Sequence, residues 1–210
     1  MKIIFILFLF LSTYVTAQNT VQDSNVIDGW LTESRNLLGA DIEKAEALAR
    51  KALLAALHIK YAKGIGTAYM RLGVAMESEG KNDSALYYFK NAFAIRKRLN
   101  DQKGTAGALR EISYVFRAKS EIDSAFEYCF QALRINESIA DRSETGMNYQ
   151  DIGTLLLDYG NNKEAKQYFD KAVIILREAN DSGYLSQAYN KLGNFYYSIN
   201  NYDSAIQNYF

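Results

Sequence analysis

The 210-residue chain contains no proline, one cysteine and one histidine, and its charges balance at 24 Lys and Arg against 24 Asp and Glu. Each shortage excludes something. Ordinary usage would supply about ten prolines. Without them there are no proline-rich linkers, collagen-like segments or polyproline ligands, and the strongest helix breaker is missing. Cys129 alone cannot form an intrachain disulfide, and with His58 as the sole imidazole no Cys/His metal cluster can be assembled. Zero net charge argues against binding to nucleic acid or an anionic membrane, which usually needs a basic excess.

Catalytic signatures are also missing. There is no P-loop, no Gly-x-Ser-x-Gly elbow and no His-Glu-x-x-His. Gly64-Ile65-Gly66 lacks the third glycine, preceding strand and acidic partner of a dinucleotide site, and reads as the start of a helix. Glu77 and Glu79 read as carboxylates on solvated helix faces, His58 as a surface or interhelix residue late in a helix, and Cys129 as a buried, inert thiol. The expectation is a protein without enzymatic activity, cofactor or metal.

Residues 1–17, MKIIFILFLFLSTYVTA, have the layout of a signal peptide: a basic start at Lys2, an apolar run from Ile3 to Leu11, and small residues Val15 and Ala17 before a cut at Gln18. The apolar run falls short of the roughly 20 residues that span a bilayer, so a cleaved signal is favoured over an uncleaved anchor. A periplasmic or secreted location follows, with no stable membrane span after cleavage. Residues 18–25 read as a short linker.

The remainder repeats itself every 40 residues. Leu72-Gly73, Ile112-Ser113, Ile152-Gly153 and Leu192-Gly193 form one column; Ala45, Ala85, Ala125, Ala165 and Ala205 form another. Ala52, Ala92, Ala132 and Ala172 make a third, and Tyr69, Leu109, Tyr149 and Tyr189 a fourth. Within a repeat the apolar spacing is helical, as at Ala68, Tyr69, Leu72, Ala75 and Met76, then at Ala85, Leu86, Phe89, Ala92 and Phe93. Gly80, Ser120, Gly160 and Asn200 occupy the slot of a left-handed C-terminal residue. Asp83-Ser84, Asp123-Ser124 and Asp203-Ser204 read as N-terminal caps of the second helices. The pattern predicts an all-α curved solenoid of antiparallel helix pairs over residues 26–210, in repeats of about 26–62, 63–102, 103–142, 143–182 and 183–210. By the same phase the last helix would need about nine more residues to match its predecessors.

The spacing of Tyr69, Leu72, Gly73, Ala85, Phe89 and Ala92 resembles the tetratricopeptide repeat (TPR) family. Tyr149, Ile152, Gly153, Ala165, Phe169 and Ala172 match similarly, as do Tyr189, Leu192, Gly193, Ala205 and Tyr209. The third repeat is weaker, with Leu109, Ser113 and Cys129, and the first helix, around Trp30, fits poorly. The period exceeds the usual 34, and the family's frequent proline is replaced by Lys97, Glu137 and Arg177. The resemblance implies an all-α, right-handed superhelical solenoid of antiparallel helix pairs, acting as a scaffold that binds a protein or peptide segment along the first helices of the repeats. Its groove would comprise Met70, Val74 and Glu77; Arg110, Tyr114 and Arg117; Gln150, Thr154 and Asp158; and Gln187, Asn190, Asn194 and Tyr197. An alternative expectation is the extracytoplasmic sensor segment of a longer membrane-bound signalling protein, a histidine kinase or transcriptional regulator.

Overall fold

The computed structural model describes residues 23–209. The expected signal peptide, the first part of the linker and Phe210 lie outside the described residues. Residues 23–25, assigned above to the linker, are helical and belong to the first helix.

Ten helices and no strand occur among the described residues. They are α1 (residues 23–37), α2 (Ile42–His58), α3 (Ala62–Ser78), α4 (Asn82–Arg98), α5 (Gln102–Ala118), α6 (Ile122–Ser138), α7 (Arg142–Asp158), α8 (Asn162–Glu178), α9 (Ser182–Ser198) and α10 (Tyr202–Tyr209). The chain divides into two compact units. One holds α1–α4 and ends at Leu99; the other begins at Asn100 and holds α5–α10.

Each helix from α2 to α9 is 17 residues long, so the 40-residue period is two helices of equal length. The turns explain the regularity. Lys60, Gly80, Asn100, Ser120, Ala140, Gly160, Asn180 and Asn200 all have φ between 53° and 84°. At Gly80 the N–H donates to Glu77 O at 2.8 Å, and the N–H of Lys81 donates to Met76 O at 2.8 Å. This pair of bonds satisfies two of the orphan carbonyls at a helix end. It recurs at Ser120 with Glu121, Ala140 with Asp141, and Gly160 with Asn161. The four slots named from the sequence are therefore left-handed, and the ends of the second helices use the same turn. Lys60 and Ala140 carry no sequence signal for it. An ordinary residue there costs roughly 1–2 kcal/mol, which the turn's hydrogen bonds and the packing around it must offset.

The caps need a correction. Asp83, Asp123 and Asp203 lie inside the first turns of α4, α6 and α10 rather than at their caps. The three-residue turn starts each helix earlier, leaving Lys81 and Glu121 as caps without a side-chain bond. An acidic residue in the first turn still favours the helix through its dipole. Side-chain caps occur on both kinds of helix: Asp101, Asp141 and Asp181 accept from the N–H of Gly104, Glu144 and Tyr184 at 2.9, 3.1 and 3.0 Å on first helices, and Asp41, Asn161 and Asn201 accept from Lys44, Glu164 and Ser204 on second helices.

Glycine faces an aromatic ring where the two helices of a hairpin approach. In the first unit, a Cβ on Gly73 of α3 would clash with the Phe89 ring of α4. In the second, a Cβ on Gly153 would meet Phe169 at 2.9 Å, and one on Gly193 would meet Tyr209 at 2.6 Å. Ala85, Ala125 and Ala165 are fully buried on the opposing helices. In α5 and α6 the pair becomes Ser113 and Cys129, and the Ser113 hydroxyl donates to Ala125 O at 2.7 Å. Cys129 is fully buried and burial pushes its thiol pKa up, as suits an inert core residue.

The same serine device explains the irregular N-terminal pair. Ser34 donates to Ala45 O at 2.7 Å, eleven residues on, whereas Ser113 reaches twelve residues on. Trp30 precedes Ser34 by one helical turn, as Tyr69 precedes Gly73. One residue fewer between the small position and the facing alanine takes α1 out of phase with the later repeats.

One polar pair lies in the core. Asn136 Nδ2 donates to Asn148 Oδ1 at 2.7 Å, and Asn136 Oδ1 and Asn148 Nδ2 make no hydrogen bond. Forty residues later the same positions are Leu176 and Ala188, both buried. Replacing both partners of a buried polar pair by apolar groups is often neutral or stabilising, whereas removing one strands the other. The double variant Asn136→Leu with Asn148→Ala is therefore expected to gain about 1–2 kcal/mol in urea unfolding, while Asn148→Ala alone loses about 1–3 kcal/mol. A double variant less stable than the single would contradict this.

Candidate functional site

The thirteen residues assigned to a groove all lie on first helices of hairpins: α3, α5, α7 and α9. Met70, Val74 and Glu77 stand on α3 in the first unit, each half-buried, and burial raises the pKa of the Glu77 carboxyl. The other ten lie in the second unit.

There the charged members are used between helices. Arg110 of α5 donates through Nη1 to Glu144 Oε2 of α7, and both side chains are less than one-fifth exposed. Tyr114 Oη donates to Asp151 Oδ1 at 2.9 Å, again joining α5 to α7. Arg117 and Asp158, both assigned to the groove, pair with each other through Arg117 Nε and Nη2. Lys103 Nζ reaches Asp141 Oδ2 at 2.8 Å at the start of the same two helices. The link continues from α7 to α9, where Ser143 donates to Asp181 at 2.8 Å and Tyr184 Oη lies 3.4 Å from Glu144 Oε1. Gln150 is buried, and the Thr154 hydroxyl is turned back to Gln150 O at 2.9 Å.

The α9 residues differ. Gln187, Asn190, Asn194 and Tyr197 are all exposed, Tyr197 at 61%. Asn194 accepts from Tyr209 Oη at 2.6 Å, tying this row to α10. None of the four is charged. The face thus changes along the second unit, from charges that pair off between α5 and α7 to exposed amides and a tyrosine on α9.

Asp151, Glu144 and Tyr184 were not assigned to the groove, yet they hold this face together. A signal for Asp151 was present: Arg71, Glu111, Asp151 and Lys191 form a charged column at the 40-residue period. Its consequence depends on burial, which the column alone does not give. The Asp151 carboxyl is pushed up from its ordinary 3.8 to about 6, first by burial and against the pull of Arg110, Tyr114 and Lys191. Its Oδ2 is buried without a hydrogen bond. Burial opposes the Arg110 cation, but Tyr114, Glu144 and Asp151 outweigh it and raise the arginine pKa. Burial, then Asp151, also raises the Tyr114 phenol.

The sign of the pH effect follows. Between pH 3.8 and about 6 the folded chain keeps a proton on Asp151 that the unfolded chain releases. Stability must therefore fall as pH rises through that window. Asp151→Asn is expected to raise the stability measured by urea unfolding at pH 7.5 by on the order of 1–3 kcal/mol. It should match the wild type below about pH 4, where both side chains are neutral. Parallel curves from pH 4 to 7.5 would show that Asp151 is not the group responsible.

No protein-family model and no curated protein matches the sequence. Solved structures do match. The structure of BtubC (BKLC) from P. vanneervenii is 18% identical, with a TM-score of 0.67 over 90% of this chain and 87% of that one. The TPR-like repeats of a Podospora anserina kinesin light chain are 14% identical, with a TM-score of 0.67 over 87% of this chain and 90% of that one. A Rap protein in complex with competence and sporulation factor is 16% identical, with a TM-score of 0.75 over 86% of this chain. This chain spans only 51% of the Rap protein. The helix pairs, the small-residue columns and these likenesses agree: the chain has the fold of the TPR-like helical-repeat proteins.

Proposed function

We propose that this protein is a non-enzymatic interaction module that takes a peptide or protein segment along the first-helix face of its second unit. The observation that carries the reading is the contrast on that face. Arg110, Arg117, Glu144 and Asp158 spend their charges on one another, while Gln187, Asn190 and Tyr197 on α9 stand exposed and uncharged. Amide side chains carry both donors and acceptors and can pair with a peptide backbone. Tyrosine is among the residues enriched where binding energy concentrates. Binding would require no covalent step. That a Rap protein of the same fold was solved in complex with competence and sporulation factor supports a binding role of this general kind.

The structure also refines which substitutions test it. Arg110 and Tyr114 join α5 to α7, so changing them would disturb the scaffold together with the face. Gln187, Asn190 and Tyr197 are exposed, and their joint replacement by alanine should cost no more than about 1.5 kcal/mol, mainly through the lost ring contact of Tyr197 with Tyr202. Peptides selected from a random display library on the wild-type protein should lose at least about tenfold in affinity for the triple variant. Failure to enrich any peptide, or equal binding to the triple variant, would contradict the assignment.

A further inference from the structure

The second helices carry a column of lysines and amides at the 40-residue period: Lys51, Asn91, Gln131 and Lys171. Both lysines are used in the same way. In the first unit, Lys51 Nζ of α2 lies 3.9 Å from the centre of the Trp30 ring of α1. In the second, Lys171 Nζ of α8 lies 4.6 Å from the centre of the Tyr168 ring and 5.9 Å from that of Tyr149 of α7. Trp30 and Tyr149 each stand one turn before the small position of a first helix, Ser34 and Gly153. An ammonium within about 6 Å of a ring centre is attracted by the ring's quadrupole. The chain thus makes the same cation–ring contact in two different hairpins.

In α3 and α4 the rings are present and the lysine is not. Tyr69 and Tyr88 have their centres 6.2 Å apart, and Tyr149 and Tyr168, their counterparts in α7 and α8, are 5.9 Å apart. Tyr87 adds a third ring, edge-on to Tyr88 at 5.3 Å and 60% exposed, where α8 has Gln167. The lysine's column holds Asn91, which is uncharged and donates through Nδ2 to Tyr87 O at 2.7 Å. Arg50 of α2, within electrostatic reach of Tyr88, is paired with Glu46 at 2.6 Å. In α5 and α6 the first ring and the lysine are lost together, replaced by Leu109 and Gln131. Only α3 and α4 keep and enlarge the aromatic half while giving up the cation.

We infer that Tyr69, Tyr87 and Tyr88 form an ammonium-binding site that takes a lysine side chain from a partner protein, in the place that Lys171 holds over Tyr149 and Tyr168. None of the three is among the thirteen residues assigned to the groove, and all lie in the first unit, so the inference does not rest on the reading above. A single ammonium on an open surface is a weak anchor, with a dissociation constant of about 5–50 mM for an isolated lysine. Within a longer partner segment the site fixes where a lysine must fall.

The probe is Nα-acetyl-lysine methylamide, titrated at constant chloride into the whole chain with isotope-labelled tyrosine rings and followed by NMR. The Tyr69 and Tyr88 ring signals, assigned with Tyr69→Phe and Tyr88→Phe, should shift saturably. The neutral analogue, Nα-acetyl-norleucine methylamide, should bind at least about fivefold more weakly. Asn91→Lys supplies the cation within the chain and should weaken the probe at least about fivefold. The fold accommodates that change, since lysine fills the same column at Lys51 and Lys171. Tyr69→Leu, which copies Leu109, should weaken the probe to a similar degree. Absence of saturation up to about 100 mM would overturn the inference, as would equal binding to the wild type and to Asn91→Lys. Equal binding of the norleucine analogue would also overturn it, by making the cluster an apolar patch. Tetramethylammonium that saturates these signals where the lysine probe does not would overturn it by assigning the rings to a small quaternary ammonium ligand. All of these outcomes leave the proposed function on α9 standing.

Discussion

The structure depends on one close approach, repeated. Three hairpins bring a residue without a side chain against an aromatic ring, Gly73 on Phe89, Gly153 on Phe169 and Gly193 on Tyr209. The ring fills the space the missing side chain leaves, and the alanines on the opposing helix let the backbones come near. Because the two partners are 16 residues apart, the contact fixes the turn between them as well as the spacing of the helices. The left-handed turn residue every 20 positions follows from that register. Gly80, Gly160, Asn100, Asn180 and Asn200 are residue types that suit it, whereas Lys60, Ser120 and Ala140 are held there by the hydrogen bonds of the turn.

Where the glycine and ring are absent, a hydrogen bond takes their place. Ser113 and Ser34 each send a hydroxyl to the carbonyl of a buried alanine, which holds the helices together without a large side chain between them. The smaller Cys129 fits beside Ser113, and Asn148 occupies a position that is alanine in the other repeats. This polar core adjoins the buried charges of α5 and α7, because Cys129 and Asp151 lie within each other's electrostatic reach. The middle of the chain is thus where polar groups enter both the core and the first-helix face. On α9, by contrast, the assigned residues Gln187, Asn190, Asn194 and Tyr197 are uncharged and exposed. That gradient, rather than any one residue, distinguishes the two ends of the second unit.

The columns of glycine, alanine and aromatic residues were legible in the sequence because they are spaced by backbone geometry, and they led to the helix pairs and the fold. The cap positions were misread because Asp83 and Asp123 resemble caps by type, whereas their place depends on a turn fixed by packing elsewhere. Periodicity placed the thirteen assigned residues on first helices, where they lie. It could not say that Arg117 and Asp158, 41 residues apart, would neutralise each other, because pairing between helices depends on side-chain reach. Trp30 and Ser34 carried a readable pattern that a single missing residue concealed.

The account's central claim is that the small residue and the ring act as one unit, and a double-mutant cycle tests it directly. Gly153→Ser and Phe169→Cys would place in α7 and α8 the pair that the chain already uses at Ser113 and Cys129. Each single change should destabilise the protein in urea unfolding, Gly153→Ser by about 1–3 kcal/mol through overpacking and Phe169→Cys by about 3–5 kcal/mol through the cavity. The double variant should lose at least about 1 kcal/mol less than the sum of the two. Losses that add to within about 0.5 kcal/mol would show that the two positions stabilise the hairpin independently and would contradict the account.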